Sequence, residues 1–138
     1  MEVEPRLISE YVATGKANLI YRHLTQIGDD SLVSSEAMHC GAEQGAYWRL
    51  RYELYTRQTD LYNAGNIFGG VTFIAGDIGL NTEEFGSCIT SRRYQAEVEA
   101  DAADSLANGV RSRPVFDVAG QRIIGGRRFE DFAAILGQ

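Results

Sequence analysis

Apolar residues recur along the chain with two different periods, and the places where the period changes predict its elements. Leu7, Ile8, Tyr11 and Val12 fall at helical spacing within Arg6–Thr14, and Gly15 supplies the stop. Ala17–Leu24 is mostly apolar and partly β-branched or aromatic, which predicts a strand covered on at least one side. Gly28-Asp29-Asp30-Ser31 is turn chemistry, with Asp30 or Ser31 able to cap a helix running to about Gln44 before Gly45. A second helix over Ala46–Gln58 carries an apolar stripe of Tyr47, Trp48, Leu50, Leu54 and Tyr55, with Arg49, Arg51 and Glu53 outward.

Residues 59–70 lack periodicity and hold Asp, Asn and Gly, so they read as a loop, and Val71–Ile78 reads equally as strand or helix. Asn81 with Glu84 three residues later forms a capping box, flanked by Leu80 and Phe85 at the staple positions, so a helix starts at Thr82. Tyr94, Val98, Ala102 and Leu106 step by four through one long helix ending near Asn108-Gly109. The period then changes. Val115–Val118 and Gln121–Ile124 are strand-like and joined by Ala119-Gly120, the length of a two-residue hairpin loop. Phe129, Phe132, Ala133 and Leu136 close the chain with a short helix that packs on a sheet. Without an internal repeat, low-complexity tract or Pro-rich linker, the whole reads as one domain.

Composition narrows what such a domain does. The chain has 138 residues, 44% hydrophobic and 23% charged, and its net charge of −6 gives no electrostatic footprint for nucleic acid or anionic lipid. No apolar run reaches the roughly 18–20 residues of a membrane span, and the start Met-Glu-Val-Glu-Pro lacks the pattern of an export signal, so a soluble chain is expected. Two cysteines, Cys40 and Cys88, are too few for a disulfide-dense scaffold and lack the paired spacing of a zinc site. A chain of this length buries about two-thirds of its unfolded surface, enough for a core without staples.

Familiar catalytic signatures are absent: no Gly-rich phosphate loop, no Gly-x-Ser-x-Gly, no His-Glu-x-x-His, and two histidines in all. No metal and no cofactor is expected on this reading. Glu97, Asp101 and Asp104 share a helical face, which reads as solvated surface rather than a ligand set. His39 beside Cys40 suggests a thiol–imidazole pair, but helical neighbours point about 100° apart, which favours a buried cysteine beside an exposed histidine. Tyr47, Trp48, Tyr52 and Tyr55 read as core packing ahead of an aromatic binding face.

Several strings in a shared order carry a resemblance: Glu10–Lys16, Ser35-Glu36-Ala37 to Cys40, Glu43-Gln44-Gly45 with Tyr47-Trp48, Gly79-Leu80-Asn81, Phe85 to Cys88, and Gly109-Val110 before Pro114. Together they resemble the DsbA-like thiol-disulfide oxidoreductases over nearly the whole chain. That resemblance implies an α/β, thioredoxin-like fold across residues 1–138 with a helical insertion at about 31–108. In that family a first strand leads to Cys-x-x-Cys at the start of the first helix, and a cis-proline precedes the strand after the long helix. Here neither cysteine lies in a Cys-x-x-Cys, and no strand precedes Glu2. Because Glu2–Leu7 resembles the middle of the family's first helix, the resemblance implies an N-terminally incomplete chain whose motif lies upstream of Met1; a degenerate member is the alternative. The missing strand would sit between Leu19–Leu24 and the strand after Pro114, leaving an isolated chain marginal unless it repacks or forms a homodimer.

By the same resemblance Pro114 takes the cis-proline position. Arg113 replaces the family's usual threonine beside the redox site, where a cation would stabilise a thiolate; its alternative is to face solvent. Cys40 and Cys88 are implied to pair as a structural disulfide, worth about 4 kcal/mol for a loop of this size and needing an oxidising compartment; two buried free thiols are the alternative. The implied function is protein-disulfide exchange with protein or peptide substrates held beside Arg113 and Pro114, in an extracytoplasmic setting for the intact family member. With no catalytic residue in this chain, it is expected to be inactive in redox turnover. A non-catalytic peptide-binding module and an inert fragment are the rival readings.

Overall fold

The computed structural model describes residues 2–137, and its backbone divides into two compact units, Met1–Arg22 with Ser105–Gln138 and His23–Asp104. In the second unit α2 (Gly28–Ala42) is the central element. Its Val33, Ala37, Met38 and Cys40 are buried, and α3 (Tyr47–Thr56), α5 (Ile67–Asp77) and α6 (Thr82–Thr90) all pack against it. Gly41 sets how closely α3 approaches, since a Cβ there would lie 2.8 Å from Leu50 Cδ2. Leu50 and Leu54 of α3, Val71, Ile74 and Ala75 of α5, and Phe85 and Ile89 of α6 complete this core. From α7 (Gln95–Ala107) come Val98 and Ala102.

Helix α2 starts earlier than its turn residues suggest. Ile27 is the N-cap, without a side-chain cap, and Asp29 and Asp30 occupy the first turn, where their charge complements the helix dipole. Asp30 and Ser31 are therefore not caps. At the other end Gly45, at φ 72°, lets the Ala46 N–H reach back to the Gly41 carbonyl at 2.9 Å and close the helix.

The loop expected over residues 59–70 is instead helical: α4 spans Gln58–Asn63, and α5 begins at Ile67 with Asn66 accepting from the Gly69 N–H as N-cap. Gly69 and Gly70 look like loop residues in sequence, but they serve packing. A Cβ at Gly70 would lie 2.5 Å from Leu61 Cδ1 on α4, and one at Gly69 would lie 2.5 Å from Asn66 Nδ2. Val71–Ile78 resolves accordingly as helix, with Ile78 its C-cap. Asn81 caps α6 as expected, accepting from the N–H groups of Glu83 and Glu84, but the reciprocal half of the capping box is replaced: the Asn81 N–H donates to Gln44 Oε1 at 2.8 Å.

Between α6 and α7 the chain turns at Arg92, whose φ of 53° is unusual for a residue with a side chain. The guanidinium explains it. Arg92 Nε donates to both oxygens of Glu36 at 3.1 and 3.0 Å, and Nη2 donates to Glu36 Oε2 at 2.7 Å and to Asp29 Oδ1 at 3.2 Å. Glu36 is 1% exposed on α2, so this pair neutralises a buried carboxylate and holds the α6–α7 turn on that helix.

The other unit holds α1 (Val3–Leu7), a π-helical turn over Ile8–Val12, the hairpin β1 (Val115–Val118) and β2 (Gln121–Ile124), and α8 (Phe129–Leu136). The hairpin forms as its pattern predicts, antiparallel with Val115 opposite Ile124 and Val118 opposite Gln121. Ala119 and Gly120 sit at φ 48° and 81°, the two positive values a tight primed turn requires. Asp117 and Arg122 face each other across the strands with N–O distances of 2.8 and 2.9 Å. On the opposite face Phe116 meets Phe132 of α8 edge-on at 4.9 Å between centroids. Phe129 of α8 packs against Tyr11 and lies under the Arg6 guanidinium, 3.6 Å from its ring centre.

Residues 17–24 do not form the expected strand. Burial alternates along them from Ala17 to His23, and Ile20 is 74% exposed, so the side chains follow a strand's period. Among the described residues, however, the sheet consists of β1 and β2 alone, and the segment has no ladder partner. Alternation sets an extended backbone, but only a neighbouring strand makes it a β-strand.

Arg92→Ala is expected to lower unfolding free energy by about 3 kcal/mol, because it strands the buried Glu36 carboxylate. Arg92→Gly is expected to lose less, since glycine adopts positive φ freely. Urea denaturation checks both; an unchanged midpoint for Arg92→Ala would contradict the role given to this pair.

Candidate functional site

The four candidate site residues fall into two groups. Cys40 on α2 and Cys88 on α6 are joined as a disulfide with Cα atoms 5.9 Å apart, within the span such a bond allows. Both are at most 1% exposed. Because Cys40 is bonded through sulfur, the thiol–imidazole reading of His39-Cys40 falls away. At a sequence separation of 48 the bridge contributes about 4 kcal/mol in the loop-entropy model. No free cysteine is left among the described residues.

Arg113 and Pro114 belong to the other unit, on an exposed turn leading into β1. Their peptide bond is cis, and the Pro114 carbonyl accepts from the Gly125 N–H at 2.9 Å, closing the base of the hairpin. Arg113 is exposed. The structure therefore gives a turn closed by one backbone hydrogen bond, with an exposed cation and no thiol within its own unit.

A third cluster went unread in the sequence. His23, from the extended segment, and His39, from α2, bring their Nε2 atoms to 3.0 Å. At that distance one of the facing nitrogens donates an N–H and the other accepts, which does which being set by the tautomer. The Tyr47 hydroxyl lies 3.5 Å from His23 Nε2, Tyr94 stacks on His39 at 5.2 Å between centroids, and Tyr47 meets His39 edge-on at 5.6 Å. The His23 backbone N–H donates to Asp101 at 2.7 Å, and His39 Nδ1 faces the Glu97 carboxylate at 3.8 Å.

Two expectations change here. Asp101 is not simply solvated surface but an anchor for the His23 backbone, while Glu97 and Asp104 stay exposed. His39 is not an exposed histidine, its side chain being only 21% accessible. The sequence signal for this cluster is the inward phase of residues 17–23, which points His23 away from solvent, combined with the phase of α2.

The aromatic helix α3 is also rotated from its expected phase. Leu50 and Leu54 are buried and Tyr47 is half-buried, while Trp48, Tyr52 and Tyr55 are 45%, 55% and 37% exposed. Arg51, expected outward, is partly covered instead, with its guanidinium 5.6 Å from the Trp48 ring centre and 5.0 Å from that of Tyr55. Of the four aromatic side chains expected to pack, only Tyr47 does so to a substantial degree.

Electrostatics follow from burial. Burial first, then the neighbouring His39, lowers the His23 pKa from its ordinary 6.5 to about 4, partly offset by Asp101. Burial likewise pushes the Tyr47 phenol up to about 12. Near the surface, hydrogen bonds from Arg93 and then Tyr94 hold the Glu43 carboxyl below its usual value. Among the described residues no group of three or more His, Cys, Asp or Glu side chains is placed to hold a metal ion. Nor, among the described residues, is any helix long and apolar enough to cross a membrane.

Comparison with known proteins gives a family match over the full length: a family model described as Thioredoxin covers residues 1–138. Among curated proteins, a Na(+)/H(+) antiporter NhaA from Herminiimonas arsenicoxydans is 29% identical over 104 residues, 75% of this chain and 16% of the relative. A Na(+)/H(+) antiporter NhaA 3 from Salinispora tropica is 25% identical over 137 residues, 98% of this chain and 20% of the relative. The chain thus spans a fifth or less of the length of these relatives.

The depressed His23 pKa carries a pH dependence. Folding disfavours the charged imidazole, so the neutral ring's contribution is complete above about pH 6.5 and is lost as pH falls toward 4. Urea midpoints measured between pH 7 and 4 are expected to decline, with a shallower decline in His23→Gln. Parallel profiles would contradict the assignment.

Proposed function

The chain belongs to the thioredoxin family, and on that premise we propose that it is part of a DsbA-like protein-disulfide oxidoreductase and does not itself carry out redox turnover. A mostly helical body with a two-stranded sheet is consistent with the family's α/β fold. The single observation that carries the reading is the fate of the sulfurs. Exchange begins with attack by an accessible thiolate, and both cysteines of this chain are consumed in one buried bridge. A reactive Cys-x-x-Cys for the whole protein would have to come from outside these 138 residues, which span only a fraction of the relatives' length.

In this reading residues 31–108 are the helical insertion, and the Cys40–Cys88 bridge is its structural staple. Arg113 and Pro114 line the edge where an extended protein or peptide substrate would bind through backbone hydrogen bonds. Beside a redox pair, the Arg113 cation would stabilise a thiolate and make the corresponding disulfide more oxidising. A structural disulfide fits an oxidising, extracytoplasmic compartment. Since both relatives are named antiporters, the setting we propose is a thioredoxin-family module associated with a membrane transporter.

The second reading is a peptide-binding module without chemistry, favoured by the same exposed Arg113–Pro114 turn in a chain with no free thiol. Insulin reduction in the presence of dithiothreitol tests the first reading. The 138-residue chain is expected to leave the rate at that of the reductant alone, and a rate rising with chain concentration would overturn the assignment. Saturable binding of an extended, cysteine-free peptide that weakens in Arg113→Thr would favour the second.

A further inference from the structure

The histidine pair is chemically more than a hydrogen bond. His23 and His39 are the chain's only histidines, come from segments 16 residues apart, and aim the same ring nitrogen at each other across 3.0 Å. A transition-metal ion bound to imidazole sits about 2.0–2.1 Å from each nitrogen. Two nitrogens 3.0 Å apart then subtend about 90–100° at the ion, which is the angle between neighbouring ligands of a tetragonal shell. We propose that His23 Nε2 and His39 Nε2 form a two-imidazole site for a divalent transition-metal ion, with Cu2+ the ion best suited to it.

The surroundings support this assignment independently of the two nitrogens. His39 Nδ1 lies 3.8 Å from the Glu97 carboxylate, beyond direct hydrogen-bond reach but close enough for its negative charge to attract a cation bound at the ring. His23 is held at its backbone by Asp101 at 2.7 Å, and its ring is nearly enclosed. Tyr94 stacked on His39 and Tyr47 at its edge fix the ring plane. The 21% accessibility of His39 leaves a route for the ion, and acidic residues outnumber basic ones across residues 23–104.

No third His, Cys, Asp or Glu joins the pair among the described residues, so the remaining positions would be taken by water admitted on the accessible His39 side, with the Tyr47 phenol nearby as a neutral oxygen donor. Two imidazoles without thiolates favour Cu2+ over Ni2+ and Zn2+ by the general order of divalent affinities. Such an open shell exchanges its ion readily. Binding would replace the hydrogen bond between the rings with a metal bridge between the extended segment and α2.

The test is titration of the tag-free chain with Cu2+ near neutral pH, followed by calorimetry and electron paramagnetic resonance. One equivalent is expected to bind with two-nitrogen coupling and to raise the melting temperature. His39→Gln, at the more accessible position, is expected to weaken binding by at least about tenfold while circular dichroism shows the fold retained. If that variant does not fold, the nitrogen coupling in the wild-type spectrum decides the matter. Oxygen-only coordination, no saturable binding, or equal affinity in a folded His39→Gln would overturn the proposal.

Discussion

Cys40 and Cys88 lie on helices that meet in the middle of the helical unit, and the bond between them removes both sulfurs from solution chemistry while tying α2 to α6. Each sulfur sits where water does not reach, so a reductant or substrate must first open the core. The turn that follows α6 is tied to α2 as well, through the fork from Arg92 to buried Glu36. One tie is covalent and the other ionic, and together they position the turn into α7. From that turn follow the places of Tyr94, Glu97 and Asp101, and hence the surroundings of both histidines.

The remaining unit is held differently. Among its described residues only Phe129 and Phe132 are buried hydrophobics, and its sheet is a single hairpin, an element that is marginal unless a further layer covers it. Phe116 on Phe132, and Arg6 and Tyr11 against Phe129, supply that layer. Ile124 on the hairpin remains 59% exposed, and Ile20, on the outward edge of residues 17–24, 74%. Stability in this chain is therefore uneven, greatest where the disulfide and the ion pair act and least around the hairpin that carries Arg113 and Pro114.

Features governed by neighbours in sequence were legible before the structure. The hairpin and its two-residue turn, the Asn81 cap, the end of α7 and the apolar stripe of α8 each depend on a few consecutive residues. The disulfide was reached through family resemblance, not spacing. Features that depend on distant partners were misread. Residues 17–24 have a strand's alternation with no strand paired to them among the described residues, and Gly69 and Gly70 have a loop's composition but make room for Asn66 and Leu61. The face of α3 followed Leu50 and Leu54 more than its aromatic content. Asp101 resembled any exposed helical acid until the His23 backbone was brought against it. The histidine pair was hidden for the same reason, being formed by two segments with no shared local pattern.

Both sulfurs of this chain are held in one buried bridge and neither is free to react, which intact-mass analysis after iodoacetamide treatment measures directly. Without reductant, the mass is expected to stay unchanged both in native buffer and in guanidinium, with two carbamidomethyl groups added only after reduction. Carbamidomethylation of the native, unreduced chain at Cys40 or Cys88 would contradict it.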